Sequence, residues 1–325
     1  MGEKNKRNEK AEWKFDQRSF WLGVSVQLTV VVITGITGIV AARNWTGNYL
    51  ESQFYYKKTD TPSAERFAHI QQHIETSTQF VTLENGDKIA YLYKPKVEPT
   101  LPNENRIVII VGGLPGIDPH WAEMAKNINN RAGIIVVHPA GYEPSTGKRK
   151  NKNIQNSLLE AIPKILKIEN LQNKHLVLVT ESAGGSHVDE LVAVQNFDRI
   201  VFLKPMISPE LSVNTTFSER GPGSLPWLYN LTVTPTPPLL ADARNLKAKE
   251  VVVSIGLKDI LVSSVDELAM VERLKAQSKA QVFAVVNPKG DHYTFDPSQV
   301  SWWILGGNLS GKPQNQILKP EVNIK

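Results

Sequence analysis

The 325-residue sequence contains no cysteine. That absence excludes disulfide frameworks, thiolate metal sites and a cysteine nucleophile, so any chemistry must use other side chains. It says nothing about compartment, because a chain of this length can bury its core without covalent staples. Internal repeats and low-complexity tracts are also lacking. With 41% hydrophobic and 21% charged residues, the composition is that of a globular protein rather than a disordered one. There is no block of like charge. The net charge is +5 and the isoelectric point about 9.1, but the basic residues alternate with acidic ones, and no nucleic-acid partner is expected.

One long uncharged run stands out, from Phe20 to Ala42. At 1.5 Å per residue it can cross a hydrocarbon core of about 30 Å, and it reads as a transmembrane helix over 20–42. A cleaved signal peptide is the alternative, since Ala41 and Ala42 are small, but the run exceeds the usual h-region of about 7–15 residues. A buried core helix is a third reading, and the polar linker that follows argues against it. Lys4, Lys6, Arg7, Lys10, Lys14 and Arg18 precede the run, whereas Arg43, Lys57 and Lys58 follow it. The positive-inside bias puts the tail 1–19 in the cytoplasm and the rest on the exported side, periplasmic or extracellular in a bacterial cell. The sequons at Asn44, Asn214, Asn230 and Asn308 are of the number that chance gives in an Asn-rich chain.

Residues 43–78 form a polar linker in which Phe67, Ile70 and Ile74 predict a short amphipathic helix. His69 and His73 on it lack the HExxH context and a third ligand, and no metal site is expected. A domain is expected over 79–312, followed by a tail over 313–325. It opens with a hairpin turning at Asn85-Gly86. β-Branched runs at 106–113, 132–139, 175–180, 198–205, 249–256 and 280–286 then alternate with helical stretches. Such alternation predicts an α/β fold, doubly wound around a mostly parallel sheet. An insertion over 205–248 is rich in proline and apolar residues, with Trp227 and Tyr229 as candidate pocket walls or simply parts of a packed surface loop.

In such sheets the sites gather at the carboxyl ends of the strands. After LVLV comes Thr180-Glu181-Ser182-Ala183-Gly184-Gly185, a serine between small residues on a strand-to-helix turn. This is the nucleophile-elbow arrangement, and ESAGG resembles the esterase and lipase branches of the α/β-hydrolase superfamily. Thr180 departs from the usual first glycine of G-x-S-x-G, and a β-branched residue there predicts a more strained or more open turn. The resemblance implies an acid and then a histidine in later post-strand loops. Asp259 follows VVVSIG and His292 follows VFAVVN, and they take those roles beside Ser182. The chemistry needs this set because a serine hydroxyl becomes a nucleophile only when a neutral imidazole takes its proton, and a carboxylate orients that imidazole. Asp291 is read as a solvated charge. Gly112-Gly113-Leu114-Pro115-Gly116 is similar to the family's H-G-x-P-G loop, with Gly112 at the histidine, and by that match the N–H groups of Leu114 and Ala183 form an oxyanion hole. A phosphate-cradling reading of this turn lacks both G-x-G-x-x-G and a terminal GK[ST].

Gly113 and His138 are weaker pocket candidates. His120, His175 and His187 receive no catalytic role, and Trp302 and Trp303 read as core or membrane belt. The resemblance implies a serine hydrolase with no cofactor, and the uncharged run 20–42 and the apolar insertion make the expectation a membrane-tethered enzyme cleaving a small-molecule carboxylic ester or acyl substrate. Alternatives are a peptidase or amidase of the same fold, or an inactive binding or scaffold protein, which Thr180 and Gly112 favour.

Overall fold

The computed structural model describes residues 36–47, 62–96, 105–113, 120–208, 237–293 and 296–306, with Ile33, Leu50 and Val233 as single positions. Most of the span expected at 20–42 lies outside them. Its described end belongs to a helix, α1 (36–47), on which Ile36, Ile39 and Val40 are exposed. Among the described residues no helix is long and apolar enough to cross a membrane.

The strands are β1 (Thr78–Thr82), β2 (Lys88–Lys94), β3 (Arg106–Val111), β4 (Gly133–Val137), β5 (His175–Glu181), β6 (Phe197–Leu203), β7 (Ala248–Gly256) and β8 (Gln281–Asn287). They form one sheet of order β1-β2-β4-β3-β5-β6-β7-β8. β1 pairs antiparallel with β2, and β2 with β4; every other pairing is parallel. The interior strands are apolar at almost every position because both faces are covered. Along β3, Ile109 and Val111 face one core and Val108 and Ile110 the other.

The first core is closed by α4 (Asn151–Ile168), α6 (Asp189–Val194) and α7 (Ser264–Gln277), through residues such as Leu158, Leu191 and Met270. The second is closed by α2 (Ser63–Ile74), α3 (Trp121–Asn129) and α8 (Pro297–Leu305), through Phe67, Trp121 and Ile304. The amphipathic helix expected in the linker is thus α2, and it packs into the same core as the sheet.

The helical stretch after Ser182 is divided into α5 (Ala183–His187) and α6, parted at Val188, whose N–H donates to Gly185 O at 3.2 Å. Two successive glycines, 184 and 185, lower helix propensity here. The hairpin turn is wider than a two-residue Asn-Gly turn. Leu83 N–H donates to Asp87 O at 2.8 Å, with Gly86 at φ 87°.

The chain leaves β3 through α3 to β4 on one side, then returns through α4 on the opposite face to β5 on the other side. The carboxyl ends of β3 and β5 therefore flank a switch point, where open α/β sheets form clefts.

Phe202 is fully buried in the central strand β6. Phe202→Ala is expected to cost about 3–5 kcal/mol, read as a lower midpoint in urea unfolding followed by circular dichroism.

Candidate active site

Ser182 follows β5 at the switch point. Its backbone stands at φ 51°, ψ −124°, a region costly for a residue with a side chain. The surroundings impose it. Ser182 N–H donates to Leu203 O at 3.0 Å, and Ser182 O accepts from Met206 N–H at 2.9 Å and from Gly185 N–H at 3.1 Å. The glycines around the turn are needed for close approach. A Cβ on Gly184 would lie 2.7 Å from Val111 O and 2.8 Å from Gly112 O, and one on Gly113 would lie 2.7 Å from Glu181 O. The end of β3 is therefore pressed against the serine turn, and Gly113 borders Ser182 Cβ and Ala183 N.

Thr180, by contrast, sits inside β5 in regular pairing with Val111 and Phe202 and is fully buried. The pairing continues through Glu181 opposite Leu203. The β-branched residue is accommodated by the strand, and the opened turn expected from it is not found; its Oγ1 has no hydrogen-bond partner among the described residues.

Asp259 and His292 come from the loops after β7 and β8. Asp259 Oδ1 accepts from the N–H groups of Leu261 and Val262, both at 2.9 Å, which fixes the carboxylate. Its Oδ2 lies 2.7 Å from His292 Nδ1, and the Asp259 side chain is wholly enclosed. A carboxylate only accepts, so Nδ1 carries the proton and donates to it. His292 Nε2 is then left as acceptor, 3.0 Å from Ser182 Oγ. The structure thus brings Ser182, His292 and Asp259 into one hydrogen-bonded chain. Asp291, next to the histidine, is exposed, and its Oδ1 accepts from Tyr293 N–H at 2.9 Å.

The remaining candidates fall out differently. Ala183 and Gly113 border the serine. Leu114, Trp227 and Tyr229 lie outside the described residues. His138 is not a pocket wall: it is fully buried, with its Nε2 2.9 Å from Glu143 O and 2.7 Å from Ser63 Oγ, and its ring 4.6 Å from that of Phe67. Burial pushes it down to about 3, so it remains neutral and joins α2 to the end of β4. His187 is likewise buried. Trp303 packs partly buried against the second core. Among the described residues no cluster of three or more His, Asp or Glu could hold a metal ion.

Sequence reasoning passed over Glu181. This buried residue accepts from Trp121 Nε1–H at 2.6 Å and lies 3.4 Å from His120 Nε2. Burial raises its carboxyl, but His120, Trp121 and His292 outweigh that and hold it below the ordinary value of 4.5. The signal was an acid inside an apolar strand end, which is costly unless paired.

No family model matches the sequence, nor does any curated protein. Solved structures do match in fold. An esterase from Pyrococcus furiosus aligns with a TM-score of 0.56 at 17% identity, covering 72% of this chain and 89% of its own. A fungal esterase from Rhizomucor miehei aligns with a TM-score of 0.52 at 16% identity, covering 77% and 91%. The acylaminoacyl peptidase of Pyrococcus horikoshii aligns with a TM-score of 0.52 at 14% identity, covering 70% of this chain and 40% of that one.

A depressed carboxyl contributes stability above its unfolded value and loses it as the pH falls through the folded one. Glu181→Gln is therefore expected to be less stable than wild type at neutral pH, with the gap narrowing below pH 4.5 in urea titrations. Gly184→Ala is expected to cost about 1–3 kcal/mol through backbone overlap, read by thermal unfolding. Sheet order, the turn at Ser182 and these structural matches agree: the chain has the α/β-hydrolase fold.

Proposed function

We propose that this chain is a serine hydrolase acting on carboxylic esters and tethered to a membrane by its N-terminal segment. The observation that carries the reading is the continuous hydrogen-bonded path from Ser182 Oγ to His292 at 3.0 Å and on to Asp259 at 2.7 Å. In this mechanism Ser182 Oγ bonds to the carbonyl carbon as His292 Nε2 takes its proton. Asp259 holds the imidazole and balances its charge. The N–H groups of Ala183 and Leu114 receive the oxyanion, each such donor being worth roughly 3 kcal/mol of barrier. His292 returns the proton to the departing alcohol as the acyl C–O bond breaks. Water then attacks the acyl-enzyme by the same path and releases the carboxylic acid. The steps balance without a metal or organic cofactor.

Ester cleavage is favoured by the esterases among the structural matches and by apolar side chains exposed beside the acid and the histidine. Leu257 and Ile260 flank Asp259, and Tyr293 follows His292. The peptidase match supports an amide substrate as the second reading. The tether is supported by the uncharged run 20–42, by the basic residues before it, and by the exposed Ile36, Ile39 and Val40 of α1. This reading puts residues after 43 on the exported side.

Fluorophosphonate labelling tests the enzyme reading. Wild type is expected to be modified at Ser182 and Ser182→Ala to resist, whereas a folded wild type that resists labelling and fails to turn over p-nitrophenyl esters would indicate a binding protein. Asp259→Asn is expected to lower ester turnover by about 10⁴-fold. A reporter fused after Lys325 is expected to signal export; a cytoplasmic signal would overturn the topology.

A further inference from the structure

Lys204 directly follows β6 at the carboxyl edge of the sheet, with only 2% of the residue exposed and a left-handed φ of 45°. Burying an ammonium and holding a side-chain-bearing residue in that conformation are both costly. Its connections converge on the proposed site. Its N–H donates to Ser254 O at 2.9 Å, joining β6 to β7. Leu203, just before it, and Met206, two residues after it, hold the nucleophile turn: Ser182 N–H donates to Leu203 O, and Met206 N–H donates to Ser182 O. Its Nζ donates to the carbonyl of Asp291, the residue before His292.

We propose that Lys204 is a positioning residue, a buried cation that fixes the His292 loop against the Ser182 turn. The charged groups around it come from every neighbouring element: Glu181 from β5, Asp259 from the β7 loop, Glu267 from α7 and Asp291 from the β8 loop. Asp259 contacts only the ring of His292. The backbone of its loop is held by Leu257 N–H on Asn287 O at 3.0 Å and Lys258 N–H on Gly290 O at 2.9 Å, and at Asp291, the residue next to the histidine, by Lys204. Glu267 is fully buried, neither of its carboxyl oxygens has a hydrogen-bond partner among the described residues, and burial and Asp259 push its carboxyl well above the ordinary value. Glu181, Asp259 and Asp291 face the cation beside it. Burial lowers the Lys204 amine and the four acids oppose that without cancelling it. Its charge is therefore lost at lower pH than that of an ordinary lysine as the pH rises.

The inference rests on Ser182 and His292 acting together, and the test separates the two claims. In the full chain, Lys204→Met and Lys204→Arg are compared with wild type by the rate of fluorophosphonate labelling, and by the downfield proton resonance of His292 Nδ1, identified by its loss in Asp259→Asn. Lys204→Met is expected to label roughly 10- to 100-fold more slowly and to lose or broaden the resonance. Lys204→Arg is expected to restore a large part of both, and to keep its labelling rate at alkaline pH where wild type declines. Should Lys204→Met not fold, Lys204→Gln carries the same two readings. A folded variant without the ammonium that labels within twofold of wild type, or that labels slowly with the resonance unchanged, overturns the proposal. A wild type that shows the resonance but does not label refutes the hydrolase reading, while the variants' resonances still decide the role of Lys204.

Discussion

The arrangement depends on one strained turn. Ser182 occupies a backbone conformation that an isolated chain would avoid by about 1–3 kcal/mol, and it persists because the neighbouring strands specify it. Its N–H donates to Leu203 O and its carbonyl accepts from Met206 N–H, and Gly113 and Gly184 let the end of β3 close on it. The strain lifts the hydroxyl above the sheet edge, where loops from two later strands can reach it.

The second constraint is charge. Asp259 is enclosed, and an enclosed carboxylate is tolerable only with partners. It has two backbone N–H donors on one oxygen and the imidazole on the other. Glu181, beneath the serine, is satisfied through Trp121 and His120, at the start of the helix that follows the glycine-rich turn. The carboxyl edge of the sheet therefore gathers several acids, of which Asp259 and Glu181 have specific donors while Glu267 has none among the described residues.

Much of this was legible in the residues. Continuous apolar runs such as RIVIIV and HLVLV fit interior parallel strands covered on both faces, and the loops after them were the places to look for polar groups. Ser182 could be picked out from the strand-to-helix turn after such a run, and Asp259 and His292 because the family resemblance implies an acid and then a histidine in the loops after later strands. Other features depend on tertiary context. Nothing local indicates that β2 pairs with β4 or that α2 joins the core instead of a linker. His138 ends an apolar strand as a site residue would, yet it is enclosed by α2. Lys204 and Glu181 read as ordinary strand ends, since their significance lies in groups brought from residues 120, 259, 267 and 291. Thr180 seemed an obstacle to the serine turn and is simply the last fully regular strand position before it.

The most direct test of the central claim is the rapid-quench reaction of the full chain with a p-nitrophenyl ester, followed by intact and peptide mass analysis. The account predicts a burst of p-nitrophenol stoichiometric with protein and an acyl group on the peptide containing Ser182. A folded sample that gives no burst and no acylated Ser182 would contradict it.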